Sequence, residues 1–156
     1  LYTMFLKRAT SQNIVIGGIA GAAPPLLGWI AVTGHIAAAP LLLVLIIFVW
    51  TPPHFWALAL YRSGEYGKVN IPMMNEVKGA EYTLTQSKIY CFLLLAMGAV
   101  PLFWPESGLP LLWAFVSVGL TLWYGKSVWD IDPTEPFDEN GRMPKAANSF
   151  FRSLLV

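Results

Sequence analysis

The run Trp50-Thr51-Pro52-Pro53-His54-Phe55-Trp56 places an imidazole inside a long hydrophobic segment. An ionisable group is costly to keep in such a segment, and its default reading is functional. Imidazole can ligate haem iron, relay a proton, or bond to a backbone carbonyl released by the two prolines. Trp50 and Phe55 flank it with aromatic faces. The competing reading is a histidine that merely satisfies a broken helix.

A second constellation is the polar stretch from Arg62 to Gly79, which carries Arg62, Glu65, Tyr66, Lys68, Glu76 and Lys78. Its cations can neutralise phosphate, and the Glu65 carboxylate can hold Mg2+ through oxygen. Connections this long in a compact bundle are often functional; a solvated loop is the plainer alternative. A third is Lys7-Arg8, followed by Thr10, Gln12 and Asn13 at the entrance to a hydrophobic run. A helix N-terminus beside cations can bind an anion such as diphosphate, although a Lys-Arg pair is also an ordinary flank of a membrane span. The carboxylates of Asp130, Asp132, Glu135, Asp138 and Glu139 are interrupted by prolines. They read as a flexible acidic loop rather than a metal site. Cys91 reads as a small buried hydrophobe, and His35 as the polar surface of a turn.

The elements that must position these groups are membrane helices. Hydrophobic residues make up 56% of the chain and charged residues 12%, about half the charged share of an ordinary soluble domain. No charged residue occurs between Arg8 and Arg62, a gap long enough for two spans of roughly 20 residues each and far too long for a signal peptide. Hydropathy predicts spans at about Asn13 to Thr33, Ala38 to Tyr61, Ile89 to Trp104 and Leu109 to Gly125. The third is short and is expected to borrow residues from Thr83 onward. A polar tail from Lys126 to Lys145 then leads to a hydrophobic run beginning at Ser149, read as the start of a fifth helix. The ends, Leu1-Tyr2-Thr3-Met4-Phe5 and Leu154-Leu155-Val156, read as cuts from a longer membrane protein. The expected fold is therefore all-α, a polytopic transmembrane bundle of four spans plus the start of a fifth, with residues 1–156 forming part of one domain.

Charge orients the bundle. Lys7 and Arg8 precede the first span, Arg62, Lys68, Lys78 and Lys88 separate the second from the third, and Lys126, Arg142, Lys145 and Arg152 follow the fourth. With four spans all of these share one side, and the two turns on the other side hold no lysine or arginine. The positive-inside rule makes the basic side cytoplasmic. Basic residues scattered among acidic ones, for a net charge of +1, do not make a nucleic-acid surface. Within the spans, Pro24-Pro25 and Pro52-Pro53 are expected to interrupt their helices. Gly17 and Gly21, extended by Gly18 and Ala22, offer a face for close helix approach.

Taken in order, several of these runs carry a resemblance: Leu6-Lys7-Arg8 with Thr10 and Gln12 to Gly18; Ala20-Gly21-Ala22 with Pro24-Pro25, Gly28-Trp29 and Ala31 to Gly34; Trp50 to Leu60; and Ile71-Pro72-Met73 with Val77 and Gly79. The sequence resembles the protohaem IX farnesyltransferases, or haem O synthases, of the UbiA-like intramembrane prenyltransferase superfamily. The likeness is dense through Gly79 and weaker afterwards. It implies a bundle of roughly nine helices, of which this chain would supply the fifth to eighth and the start of the ninth. It also implies transfer of a farnesyl group from farnesyl diphosphate to a vinyl group of haem B, giving haem O and diphosphate for haem-copper oxidase assembly.

On this resemblance Lys7, Arg8, Asn13, Arg62 and Lys68 would bind the diphosphate. Glu65 and Tyr66 would be catalytic, with Glu65, standing where the family usually has aspartate, also helping to hold Mg2+. His54, Trp50 and Phe55 would face the haem. The implied partners are farnesyl diphosphate, haem B, the lipid bilayer, and haem A synthase or oxidase assembly factors. The implied location is a bacterial inner membrane in preference to a mitochondrial one. The family's aspartate-rich Mg2+ motif belongs to its N-terminal half, so this chain alone is expected to be inactive. A quinone-type prenyltransferase and a transporter segment are the alternatives. A transporter should place polar groups on both faces, and here the far side offers little beyond His35 and Glu106.

Overall fold

A computed structural model describes residues 9–63, 72–134, 138 and 142–156. Lys7, Arg8, Glu65, Tyr66 and Lys68 lie outside the described residues. The described residues form helices α1 (Asn13–Ala22), α2 (Pro24–Thr33), α3 (Ala38–Tyr61), α4 (Met74–Lys78), α5 (Ala80–Phe103), α6 (Leu111–Trp129) and α7 (Pro144–Ser153), with a 3-10 turn at Pro105–Ser107. No strand occurs among them. Four segments are long and apolar enough to cross a membrane: Asn13–Thr33, Ala38–Tyr61, Ala80–Phe103 and Leu111–Trp129. Large hydrophobic side chains such as Val32, Phe92, Phe103 and Leu112 are turned outward, as expected for a chain whose surroundings are lipid.

The two proline pairs behave differently. The first span divides at Ala23, because neither Pro24 nor Pro25 can donate to the preceding turn; Pro24 then serves as the first residue of α2. The second pair does not end its helix. Helix α3 runs through Pro52 and Pro53, both fully buried. Thr51 Oγ1 donates to Ile47 O at 2.6 Å in the same turn, and packing of α1 and α7 against α3 holds the segment in place.

The third span begins at Ala80, so it takes in the expected residues from Thr83 and three more before them. Gly79, at φ +86°, separates it from α4. The polar residues of its first turns bond to their own helix: Thr83 Oγ1 donates to Gly79 O, Thr85 Oγ1 to Glu81 O and Ser87 Oγ to Thr83 O. Each hydroxyl is satisfied without leaving the helix. The polar stretch after Arg62 is correspondingly shorter and contains α4. Helix α6 likewise continues past Gly125 to Trp129. Helix α7 begins at Pro144, five residues before the run that suggested it, and is amphipathic rather than a hydrophobic span.

Helix α3 is the hub. It packs against α1, α2, α5 and α7, while α5 also packs along α6. The close approach of α1 uses Gly18 and Ala22. A Cβ on Gly18 would lie 3.3 Å from Thr51 Cγ2, whereas one on Gly21 would meet nothing within 4 Å. The glycine face is thus rotated by one residue from the Gly17/Gly21 pair that the spacing suggested.

Candidate functional site

Two arrangements stand out, one at the basic end of the bundle and one within α3. At the basic end, α3 finishes at Tyr61 and hands the chain to Arg62, which is exposed and whose backbone N–H donates to Leu58 O at 2.9 Å. The connection from Arg62 returns at Pro72, where the Asn13 side-chain amide donates to Pro72 O at 3.4 Å. Asn13 is 2% exposed. The first residue of α1 therefore receives the far end of the segment that carries Glu65, Tyr66 and Lys68. Asn75 of α4 holds the same end from the other side, its amide donating to Ala59 O at 3.3 Å. That carbonyl lies in the last turn of α3, where no helical N–H is available to it.

The tail closes over this end as well. Met143 N donates to Tyr61 O at 3.4 Å, and the Arg142 guanidinium lies 5.5 Å from the Tyr61 ring centroid. Leu60, Leu84, Ile131, Met143 and Ala146 pack beneath as an apolar plug. The carboxylates of the described tail are used in turns. Asp132 Oδ1 accepts from Thr134 Oγ1 at 2.7 Å and Thr134 N at 2.8 Å, and Asp138 Oδ1 accepts from Arg142 N at 2.7 Å. The Thr134 bonds hold the Asp132 carboxyl below the usual aspartate range.

Within α3, His54 is 6% exposed and sits between two flat rings. Trp50, one turn earlier, stacks at 4.3 Å and 20°, and Phe150 of α7 lies at 4.8 Å and 30°. Phe55 meets the imidazole edge-on at 5.1 Å and is itself outward-facing. Polar contact comes from α7: His54 Nδ1 lies 2.6 Å from Ser153 Oγ, and Trp50 Nε1 donates to Ser153 O at 2.8 Å. Ser153 Oγ also donates to Phe150 O, within its own helix. The histidine is thus held by a second helix rather than by carbonyls freed at the prolines.

Of the residues singled out in the sequence, Arg62 starts the connection whose far end, Pro72, Asn13 holds, and His54, Trp50 and Phe55 form one aromatic cluster. Ser153, Phe150 and Asn75 escaped notice. Polar side chains at Asn148, Ser149, Arg152 and Ser153 recur at helical spacing after Pro144, and that pattern was the available signal for α7. Among the described residues, no group of three or more His, Cys, Asp or Glu side chains is gathered to hold a metal ion. These residues do not by themselves form a magnesium site.

A bundle of apolar spans, with a polar end tied by buried asparagines and an aromatic-walled histidine below, defines an integral membrane protein. Residues 1–155 match the UbiA prenyltransferase family, and the chain belongs to it. It is 58% identical over 124 residues to the Protoheme IX farnesyltransferase of Stutzerimonas stutzeri (strain A1501), covering 80% of this chain and 42% of that protein. It is 64% identical over 101 residues to Protoheme IX farnesyltransferase 1 of Pseudomonas entomophila (strain L48), covering 65% of this chain and 34% of the relative. For Protoheme IX farnesyltransferase 1 of Pseudomonas fluorescens (strain Pf0-1) the figures are 59% over 120 residues, with 77% and 40% covered. The chain thus spans 34% to 42% of the length of these relatives. No solved structure matches it.

Proposed function

We propose that the protein containing this chain transfers a farnesyl group from farnesyl diphosphate to a vinyl group of haem B, giving haem O and diphosphate. The observation that carries this reading is the 58% to 64% identity to proteins named Protoheme IX farnesyltransferase. That identity favours neither the quinone-type nor the transporter alternative. In the reaction the allylic C–O bond breaks, C1 of the farnesyl group bonds to the terminal vinyl carbon, and water adds at the inner carbon with loss of a proton. The departing diphosphate carries negative charge that fixed cations stabilise. The allylic cation needs a water-poor pocket, where aromatic faces favour positive charge.

Roles follow for particular residues. Lys7, Arg8, Asn13, Arg62 and Lys68 bind the diphosphate at the basic end. The Asn13 contact to Pro72 O supports this by tying α1 to the segment that carries Lys68. Glu65 and Tyr66 act at the reacting end of that diphosphate. Glu65 is the carboxylate offered to Mg2+, its companions coming from the part of the relatives' length that this chain does not cover. Trp50, His54 and Phe55 form a haem-facing wall. The basic side is the cytoplasmic side of a bacterial inner membrane. Haem A synthase or oxidase assembly factors receive the product.

The deciding experiment incubates the full-length protein, in membranes, with haem B, farnesyl diphosphate and Mg2+. Formation of haem O is expected, and its absence from correctly inserted protein overturns the proposal.

A further inference from the structure

We infer that Ser153 is a positioning residue for the haem substrate, holding the His54 imidazole so that Nε2 meets the haem iron. The inference rests on the proposed haem-facing role of Trp50, His54 and Phe55. Helices α3 and α7 run antiparallel. Met143 N, beside the start of α7, donates to Tyr61 O, and Ser153 at the other end meets His54 and Trp50. Ser153 is 1% exposed, so these contacts are internal to the described chain and stay so whatever else the full-length protein adds. The imidazole is enclosed on three sides. Trp50 and Phe150 lie against its faces, and Nδ1 is bonded to Ser153 Oγ at 2.6 Å.

An imidazole ligates iron through the lone pair of one ring nitrogen, and its proton then sits on the other. With Nδ1 turned to Ser153, Nε2 is the nitrogen left for iron. The hydroxyl can accept the Nδ1 proton while its own hydrogen goes to Phe150 O. Metal-ligating histidines have their second nitrogen bonded to a fixed partner, which sets the ring's orientation and raises its basicity. Ser153 is such a partner, because its carbonyl takes the Trp50 indole N–H at 2.8 Å. That indole bond already fastens the end of α7 to α3, so docking the helix does not require the imidazole. Depth agrees with this assignment. His54 lies seven residues before Tyr61, about 10 Å along the helix from the polar end. That level suits the apolar macrocycle and its iron, whereas the haem carboxylates belong with the polar end.

The test loads the purified full-length protein with haem B and reads the iron–imidazole stretching band of the ferrous complex by resonance Raman. The wild type should show the band, and His54→Ala should lose it. Ser153→Ala should lower its frequency and weaken haem B binding about tenfold, with KM for farnesyl diphosphate unchanged. Ser153→Thr should restore both. Ser153→Cys, whose sulfur is a weaker acceptor, should give an intermediate frequency, so the result does not depend on the alanine variant folding. No band in the wild type, a band that persists in His54→Ala, a frequency unmoved by every Ser153 variant, or equal loss of both substrates would each overturn the inference. Haem O formation by the same wild-type sample reports on the transfer reaction independently, so failure of one is distinguishable from failure of the other.

Discussion

Ser153 Oγ and His54 Nδ1 share a hydrogen bond of 2.6 Å across 99 residues of chain. With the Trp50 indole on its carbonyl, Ser153 is gripped twice by one face of α3. Replacing Ser153 with alanine removes the hydrogen-bond partner of the buried imidazole. The expected loss of stability is about 1–3 kcal/mol, with the Trp50 bond to the backbone retained. Denaturant unfolding of the full-length protein checks it, and Ser153→Thr should recover most of the loss.

The contact between α5 and α6 at Gly98 makes a second case. A Cβ there would lie 2.7 Å from Ser117 Oγ, the hydroxyl that donates to Gly98 O at 3.2 Å. Gly119 on α6 has nothing within 4 Å of such a Cβ. Gly119→Ala should therefore stabilise by about 0.5–1 kcal/mol through backbone entropy. Gly98→Ala should fall short of it by about 1 kcal/mol, the worth of the displaced hydrogen bond. In a Ser117→Ala background the two substitutions should become equivalent by thermal unfolding.

Arg62 carries a prediction that depends on the proposed reaction. Arg62→Ala should raise KM for farnesyl diphosphate by at least about tenfold, the effect of losing one charge-assisted hydrogen bond. The affinity for haem B should hold. Equal loss for both substrates would remove Arg62, and by the same measurement Lys7, from the diphosphate role.

The Asp132–Thr134 turn predicts a pH response. The folded-state pKa of Asp132 is lowered, first by the Thr134 side chain and then by its backbone N–H. The turn's stabilisation is therefore complete above the usual aspartate range and is lost as pH falls through the depressed folded value. Thr134→Val removes the hydroxyl donor and should move the Asp132 titration upward, towards an ordinary aspartate, as followed by NMR of the carboxyl carbon. An unmoved titration would show that the backbone bond alone sets it.

The first two spans were legible to the residue, Asn13 to Thr33 and Ala38 to Tyr61, because an uncharged stretch between loops leaves hydropathy nothing to compete with. The third was placed by hydropathy at Ile89, with an extension expected back to Thr83, three residues short of its start at Ala80. Glu81, Thr83, Thr85, Ser87 and Lys88 lower the local hydropathy, and nothing in that average reveals that the hydroxyls bond within the helix. His54 announced itself by being polar where everything around it is not. Its partner did not, because Ser153 is ordinary by type and becomes specific only when α7 is folded against α3. The Asn13–Pro72 and Asn75–Ala59 bonds were hidden for the same reason. Sequence periodicity reports which face of a helix is apolar, but not which distant helix will cover it.

The grip of α3 on Ser153 also bears on how the protein is made. At about 5–20 residues per second, the 99 residues separating His54 from Ser153 take roughly 5 to 20 s to synthesise. Throughout that interval the His54 imidazole of the second span lacks its Ser153 partner, which the ribosome has yet to deliver. Stalling within it should yield a species that is inserted but readily degraded.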